Sequence, residues 1–256
     1  MVIPLRDDNP THRLAIVTVL LIAVNVFIYL AVQPHGGIED ARFTVEYAAI
    51  PCELTEGEPL TIDEIEATFG QQADDEACTD ESGAELYPDK NVWLPVLFSM
   101  FLHGGLLHLG GNMIFLWVFG NNIEDRLGPI LYLAFYLAGG LVAALAHVLV
   151  APDSTVPVVG ASGAIAAVMG AYLVWFPDAP VRTLIFFFFI LFVDIRARWL
   201  LIGWFVMQFF TSPDSGVAWV AHVGGFAFGV LVALVVHFSM REPWDTTGAR
   251  RPTLGP

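Results

Sequence analysis

The architecture follows from Val158-Val159-Gly160-Ala161-Ser162-Gly163-Ala164-Ile165-Ala166-Ala167-Val168-Met169-Gly170, an apolar segment that carries one hydroxyl among small residues. We expect a helix to begin near Gly160 and to place Ser162 in its first turn. Free backbone N–H groups and the helix dipole favour a developing negative charge there. Small residues such as Gly163 let neighbouring helices approach the serine closely. The alternative is a packing helix whose serine hydrogen-bonds its own backbone.

The composition of the chain is that of a membrane protein. Hydrophobic residues make up 56% of the 256 residues and charged residues only 14%, which is less charge than a soluble domain of this size carries. Several apolar runs approach the roughly 20 residues that cross a bilayer. No basic stripe suggests nucleic acid. We therefore expect a polytopic, all-α membrane protein that contacts the lipid bilayer and binds no nucleic acid.

Hydropathy divides the chain into six expected spans. The expected segments are a tail at 1–13, the first span at 14–32, an acidic external loop at 33–90, a core with spans two to six at 91–240, and a tail at 241–256. The first run could be a cleaved signal, but it is long and lacks a clear small-x-small site, so we interpret it as a retained anchor. The run at 183–193 would be only about 16 Å long as a helix, which is too short to cross. We expect it to dip into the membrane instead.

The basic residues in the short flanks predict the orientation. Nine arginines fall on one side of a six-span chain: Arg6, Arg13, Arg126, Arg182, Arg196, Arg198, Arg241, Arg250 and Arg251. Only Arg42 and Lys90 fall on the other side. Because basic residues concentrate in cytoplasmic flanks, we expect both termini to be cytoplasmic and the acidic loop to be external. The expected location is the prokaryotic cell membrane, in a multi-pass topology.

The external loop carries most of the acidic charge. It holds sixteen Asp and Glu residues, and only Arg42 and Lys90 are basic. Thr61 and Glu64 form a capping box at the start of a short helix at 60–69, and the rest has the composition of a solvated loop. Cys52 and Cys78 could form a disulfide in an oxidising compartment, or remain two free thiols. The loop could bind a cation, recruit substrates, keep the face soluble or gate access from outside.

Two polar residues lie near the starts of separate spans. Ser162 opens the fourth span and His222 stands near the start of the sixth, so a six-span chain places both at similar depth. Gly225 and Gly229 give the sixth helix a smooth face for close approach. An imidazole that touches a hydroxyl is the minimum pair for nucleophilic catalysis. Were 183–193 a full crossing, the two residues would lie on opposite faces.

A second polar pair lies on the second span. His108 and Asn112 are four residues apart and share one helix face, at the same expected depth as Ser162. Their N–H groups, with the backbone N–H of Ser162, are the donors that a tetrahedral oxyanion needs. The alternative is an interhelical polar clamp.

Two other classes of function fit the sequence less well. His103 and His108 are five residues apart, which is awkward for one helix face, and no His-Glu-x-x-His motif occurs, so we expect no metal. His147 and His237 lie at the ends of spans and are expected to be interfacial. A transporter would show internal repeats and charges near the midplane, and the sequence has neither.

Four groups of residues resemble the rhomboid intramembrane serine proteases. They are His108-x-x-x-Asn112 in the second helix, Glu124-x-Arg126 after it, Gly160-Ala161-Ser162-Gly163 at the start of the fourth helix, and Ala221-His222-x-x-Gly225-x-x-x-Gly229 in the sixth. All four stand in the family's order and on the family's helices, over about 93–238, which is far more specific than one motif alone. The resemblance implies a six-transmembrane-helix rhomboid-like bundle, here with a long acidic external loop between helices 1 and 2.

The resemblance also implies a Ser–His dyad without a third acid. Ser162 would be the nucleophile and His222 the general base and later the general acid. His108, Asn112 and the Ser162 backbone N–H would form the oxyanion hole. The family cleaves transmembrane substrates near the outer membrane surface and needs no cofactor, so the expected partners are transmembrane protein substrates. No feature indicates an oligomeric state. The alternative is a catalytically inactive rhomboid-like protein that binds and escorts transmembrane helices.

Two positions depart from the family pattern. Many members have Trp-Arg in the first external loop, whereas Leu94 follows Trp93 here. Some members place an aromatic residue four positions after the serine, stacked on the histidine, whereas this chain has Ala166. We therefore expect His222 to be held by another group or by glycine packing alone, or to be less tightly oriented.

Overall fold

The computed structural model describes residues 2–69, 78, 83–186, 189–211 and 218–239, and these are mostly helical. The helices are α1 (Ile16–Ala31), α2 (Gly37–Tyr47), α3 (Pro51–Glu56), α4 (Ile62–Phe69), α5 (Pro95–Phe98), α6 (Leu106–Leu127), α7 (Pro129–Val150), α8 (Ser162–Trp175), α9 (Ala197–Gln208) and α10 (Trp219–Ser239). A short 3₁₀ helix at Ser99–Phe101 follows α5. The strands are β1 (Val2–Asp7), β2 (Pro180–Phe186) and β3 (Ile190–Arg196).

The apolar helices differ in whether they are long enough to span a bilayer. Helices α7 and α10 are each long and apolar enough to cross alone. The segment Pro95–Phe101 and helix α6 pass the same test only as a pair, bent by 88° at the break between them. Helices α1 and α8 are apolar but have only 16 and 14 residues, and α9 has 12. The apolar helices fit a multi-pass integral membrane protein, while the count of six crossings stays a prediction.

Helix α8 lies at the centre of the bundle because its small residues admit its neighbours. Every residue from Gly163 to Tyr172 is buried. A Cβ atom at Gly225 of α10 would overlap the carbonyl oxygen of Gly163, and one at Gly229 would overlap that of Ala167. The backbones of α8 and α10 are therefore in direct contact along this stripe, as close packing of small residues allows.

The structure corrects the expectation of an all-α chain. The three strands form one antiparallel sheet in the order β1-β2-β3. The run at 183–193, expected to dip into the membrane without crossing, is most of a β-hairpin, because its β-branched and aromatic residues favour strands. The tail at 1–13, expected to be merely polar, supplies β1, with Val2 opposite Ile185. This long-range pairing leaves no local pattern in the sequence.

The sheet is attached to the helices through Asp7. Its carboxylate accepts hydrogen bonds from Asn122 Nδ2 of α6 and from the hydroxyl of Tyr172 of α8, both at 2.6 Å. Burial raises the pKa of Asp7 above its ordinary value. The sheet therefore lies against the end of α8 that is opposite Ser162.

Glu124 fastens α1 to the bundle. Its carboxylate accepts hydrogen bonds from the backbone N–H groups of Val17 and Thr18, at 2.9 and 2.8 Å, and from the Thr18 hydroxyl at 2.8 Å. These N–H groups belong to the first turn of α1 and have no partner within that helix. Glu124 is almost fully buried, so the first helix depends on this carboxylate for its cap.

The structure also corrects the picture of 33–90 as a mainly solvated loop. Helices α2, α3 and α4 surround a small core, and its buried members are Val45, Ile50, Cys52 and Leu60. Cys52 and Cys78 are joined by a disulfide. The capping box of Thr61 and Glu64 is present, with the Thr61 N–H donating to the Glu64 carboxylate at 2.8 Å. A few apolar residues and one cross-link are enough to fold a segment whose overall composition is acidic.

This outer subdomain (residues 37–69 with Cys78 and Lys90) packs against the connection between α7 and α8. Val158 N–H donates to Ala49 O at 2.8 Å, and Cys52 N–H donates to Ser154 O at 2.9 Å. The hydroxyls of Thr68 and Thr155 are 2.6 Å apart. The subdomain thus supports the segment that leads into Ser162.

Candidate active site

Ser162 and His222 are in direct hydrogen-bond contact. Ser162 is the first residue of α8, and its Oγ lies 2.8 Å from His222 Nε2 on the second turn of α10. The glycine contacts between the two helices make this approach possible. Because 183–193 is a hairpin that returns to the same end of the bundle, α8 and α10 begin at the same end.

His222 has a second partner that sequence reasoning missed. Its Nδ1 lies 2.7 Å from Gln208 Oε1 at the end of α9. The indole of Trp204 lies beside the imidazole, with the ring centroids 5.7 Å apart. Both side chains come from α9, whereas Ala166 of α8 contributes no aromatic ring. An amide at the end of a short helix that is apolar from Trp199 onward is the signal that could have found Gln208, since polar residues within membrane segments default to functional hypotheses.

His108 and Asn112 face the backbone that precedes Ser162. A Cβ atom at Gly160 would lie 2.9 Å from His108 Nε2 and 3.6 Å from Asn112 Nδ2. Gly104 N–H points at His108 Nδ1 from 3.4 Å, which makes Nδ1 an acceptor and leaves Nε2 as the donor. Asn112 Nδ2 is buried and has no hydrogen-bond partner among the described residues. His108 Nε2 and Asn112 Nδ2 are therefore two donors that face the same backbone segment, directly before Ser162.

Gly160 has a backbone that few other residues adopt. Its φ is +125°, and its N–H donates to Ser99 O at 2.9 Å. A side chain here would be strained and would also press on the His108 ring. Glycine is thus required where the α7–α8 connection passes the two donors.

A cavity of about 860 Å³ lies over these residues. Ser162, His222, His108 and Asn112 all line it. His147, which was expected to be merely interfacial, lines the same cavity. The cavity is large enough to admit a peptide segment and water to the hydroxyl.

The described residues offer one cluster with the composition of a metal site. Cys52, Glu64 and Cys78 bring a sulfur, a carboxylate oxygen and a second sulfur within 4.8 Å of one another. Both sulfurs are bonded to each other in the disulfide, so neither is a thiolate ligand. This cluster does not fit a metal centre.

The geometry defines a class of protein: a membrane helix bundle with a serine–histidine pair beside two N–H donors. Residues 90–239 match the family model described as the Rhomboid domain. The match covers more than half of the chain, and the chain belongs to the rhomboid family.

Individual relatives support the same family. The mitochondrial presenilin-associated rhomboid-like protein of Bos taurus is 28% identical over 178 residues, covering 63% of this chain and 45% of that protein. The rhomboid protease GluP of Bacillus subtilis is 37% identical over 81 residues, covering 32% of this chain and 15% of that protein. The mitochondrial rhomboid protein 1 of Saccharomyces cerevisiae is 32% identical over 97 residues, covering 36% of this chain and 28% of that protein. The chain spans less than half the length of these relatives. The expected prokaryotic membrane gains no support, because mitochondrial proteins are among them.

Proposed function

We propose that the protein is an intramembrane serine endopeptidase that cleaves peptide bonds in or near transmembrane segments of membrane proteins. The observation that supports this most directly is the 2.8 Å contact between Ser162 Oγ and His222 Nε2, made across two separate helices. Family membership and the cavity above the pair add to it.

In the first half of the reaction, Ser162 Oγ attacks the carbonyl carbon of the scissile bond while His222 Nε2 takes the hydroxyl proton. The carbonyl electrons move onto oxygen. When the tetrahedral intermediate collapses, the C–N bond breaks and His222 gives its proton to the departing amine. An acyl-enzyme ester on Ser162 remains.

The intermediate's oxyanion is held by N–H donors. Asn112 Nδ2, His108 Nε2 and the backbone N–H of Ser162 take this role, because the two α6 side chains face the backbone that leads into Ser162. Donors fixed in place before the reaction cost no reorganisation when charge develops.

In the second half, water attacks the ester carbon while His222 accepts a proton from it. Collapse of the second tetrahedral intermediate returns that proton to Ser162 Oγ and releases the new carboxylic acid. The mechanism needs no cofactor, and the cavity gives water a route to the ester.

The proposal includes a topology. The chain crosses the membrane six times, with both termini cytoplasmic and the outer subdomain and dyad towards the external side. The β2–β3 hairpin touches the cytoplasmic leaflet through exposed apolar residues near its tip, among them Phe189 and Phe192. Single cysteines placed at residues 58 and 178, probed with an impermeant thiol reagent in intact cells, test it. Only the first should react.

Substitution of the dyad tests the activity. Ser162→Ala and His222→Ala should each abolish cleavage of a transmembrane reporter while the variants still insert and accumulate normally. Cleavage retained by either variant would contradict the proposal.

A serine-directed phosphonate probe separates the enzyme from a relative that only binds and escorts transmembrane helices. The probe should label the wild-type protein at Ser162 and fail to label His222→Ala. A binding protein would not be labelled at all.

A further inference from the structure

We propose, building on the proteolytic function above, that Gln208 is the positioning residue of this site. Its amide oxygen holds His222 in the tautomer and ring orientation that accept the proton of Ser162.

Two hydrogen bonds decide which way the Gln208 amide points. Its Nε2 donates to the carbonyl oxygen of Trp204, one turn earlier in α9, at 3.0 Å, and its Oε1 lies 2.7 Å from His222 Nδ1. The reversed amide would set Oε1 against the Trp204 carbonyl, which is two acceptors without a proton. The oxygen of Gln208 therefore faces the imidazole.

That orientation determines where the imidazole carries its proton. Oε1 can only accept, so Nδ1 of His222 must be the N–H that donates to it. A neutral imidazole has one N–H, so Nε2 keeps its lone pair and faces Ser162 Oγ at 2.8 Å. The other tautomer would place two acceptors together at Gln208, and at Ser162 its Nε2–H would donate to the hydroxyl oxygen and could not accept the hydroxyl proton.

An amide suits this position better than an acid would. In Ser–His–Asp triads a buried carboxylate holds the histidine tautomer. Gln208 is only 7% exposed and lies in an apolar helix, where an ionised carboxylate is costly. The amide supplies the same acceptor without the charge. It orients the base but adds no full charge to stabilise the imidazolium.

Three single variants of the full chain in detergent micelles test this role. Gln208→Leu removes the acceptor and should lower kcat by roughly 10²-fold, within the range that a positioned general base supplies, with KM little changed. Gln208→Glu keeps an acceptor and should restore much of the rate. Met207→Leu, at the exposed neighbouring position of α9, is the matched control and should retain the wild-type rate.

The pH profile distinguishes positioning from simple packing. A carboxylate at 208 favours the imidazolium, so the acid limb of kcat in Gln208→Glu should move to higher pH. The other described titratable side chains that line the same cavity as His222 are His108 of α6 and His147 of α7, and neither changes in these variants. A purely structural role for residue 208 would leave that limb in place.

Nitrogen-15 NMR of histidine-labelled protein tests the contact independently of activity. His222 should show an Nδ1–H tautomer in the wild type and in Ser162→Ala, and a mixture of tautomers in Gln208→Leu. An Nε2–H tautomer in the wild type would overturn the inference even if Gln208→Leu did not fold. If the wild type cleaves and Gln208→Leu cleaves equally fast, the inference fails while the protease stands. If the wild type does not cleave, the proteolytic function fails, and the spectra still decide the Gln208 contact.

Discussion

At the scale of single residues, the proposed chemistry depends on polar atoms that meet near the start of α8. Ser162 and His222 could be paired from the sequence, because each is a polar residue at the start of an apolar span. Gln208 could not, since which helix supplies a partner to His222 Nδ1 depends on how α9 is placed. The β2–β3 hairpin, which precedes α9 and sets its placement, was not predicted from the sequence either. Helix-face spacing predicted that His108 and Asn112 share a face, but not that Gly160 passes directly beside them.

The amide of Asn112 should matter for rate far more than for stability. Asn112→Ala is expected to lower kcat by about 10²–10³-fold, as the loss of one oxyanion donor does, because its Nδ2 has no structural partner among the described residues. Asn25→Ala is the matched control, since the buried amide of Asn25 bonds Leu21 O within α1. It should lower the melting temperature and leave kcat near wild type. Equal losses of kcat in both variants would contradict the assignment.

Gly160 should tolerate no side chain. Gly160→Ala is expected to slow phosphonate labelling of Ser162 and to destabilise the protein by about 1–3 kcal/mol, because of the strained backbone and the contact with His108. Gly203→Ala is the control: it lies in helix α9, and its Cβ would meet open space. That change should be neutral or stabilising by about 0.5–1 kcal/mol. Thermal melts and labelling rates of the two variants compare them directly, and matching behaviour would refute this reading of Gly160.

At the scale of elements, local pattern predicted the long helices and failed for the sheet. Hydropathy alone places apolar runs at 106–123, 129–150 and 217–238, and these correspond to α6, α7 and α10 with ends that differ by a few residues at most. Gly128 and Pro129 mark the break between α6 and α7 in the sequence itself, and in the structure Gly128 has φ of +78°. The sheet requires Val2 to meet Ile185, and the outer subdomain requires distant apolar residues to cluster. No window of sequence contains either relationship.

The outer subdomain holds a buried ion pair that should be costly to break. Lys90 Nζ lies 2.5 Å from a Glu53 carboxylate oxygen, and both side chains are nearly inaccessible. Burial raises the pKa of Glu53, against the opposing effect of the Lys90 charge, and burial lowers the pKa of Lys90. Lys90→Met is therefore expected to destabilise the protein by about 3–5 kcal/mol at neutral pH.

The pH dependence of that loss follows from the direction of the Glu53 shift. A carboxyl whose folded pKa is raised favours the fold when protonated, and this contribution is lost as pH rises through the folded pKa. The melting temperature of Lys90→Met should therefore be closest to that of the wild type at acid pH and should drop further below it as pH rises. Glu53→Gln combined with Lys90→Met should recover most of the loss at neutral pH. A defect that is the same at every pH would show that the carboxylate is not its cause.

At the scale of the whole molecule, the bundle is bordered at its two ends by structures of different kinds. The sheet is tied to α6 and α8 through Asp7 at one end. The outer subdomain is tied to the α7–α8 connection at the other, through Ala49 and Cys52. The segment that leads into Ser162 is therefore held by residues that lie outside the helix bundle. The position of Ser162, the proposed nucleophile, thus depends on residues that do not line the cavity.

Removing the outer subdomain tests whether it controls the site. Deletion of 38–85 should lower kcat by roughly tenfold, because a displacement of about 1 Å in a reacting group can cost up to about 10²-fold. Phosphonate labelling of the same variant reports whether Ser162 remains reactive. Unchanged cleavage would mean that the acidic segment neither supports nor gates the dyad.

The pairing of β1 with β2 also constrains the order in which the chain folds during synthesis. Ile185 is made 183 residues after its partner Val2. At translation rates of about 5–20 residues per second, the wait is roughly 10 to 40 s. Strand β1 must stay unpaired while helices α1 to α8 are made. The sheet can close once the ribosome has passed the hairpin, while α9 and α10 are still to be made, so it can form before the bundle is complete.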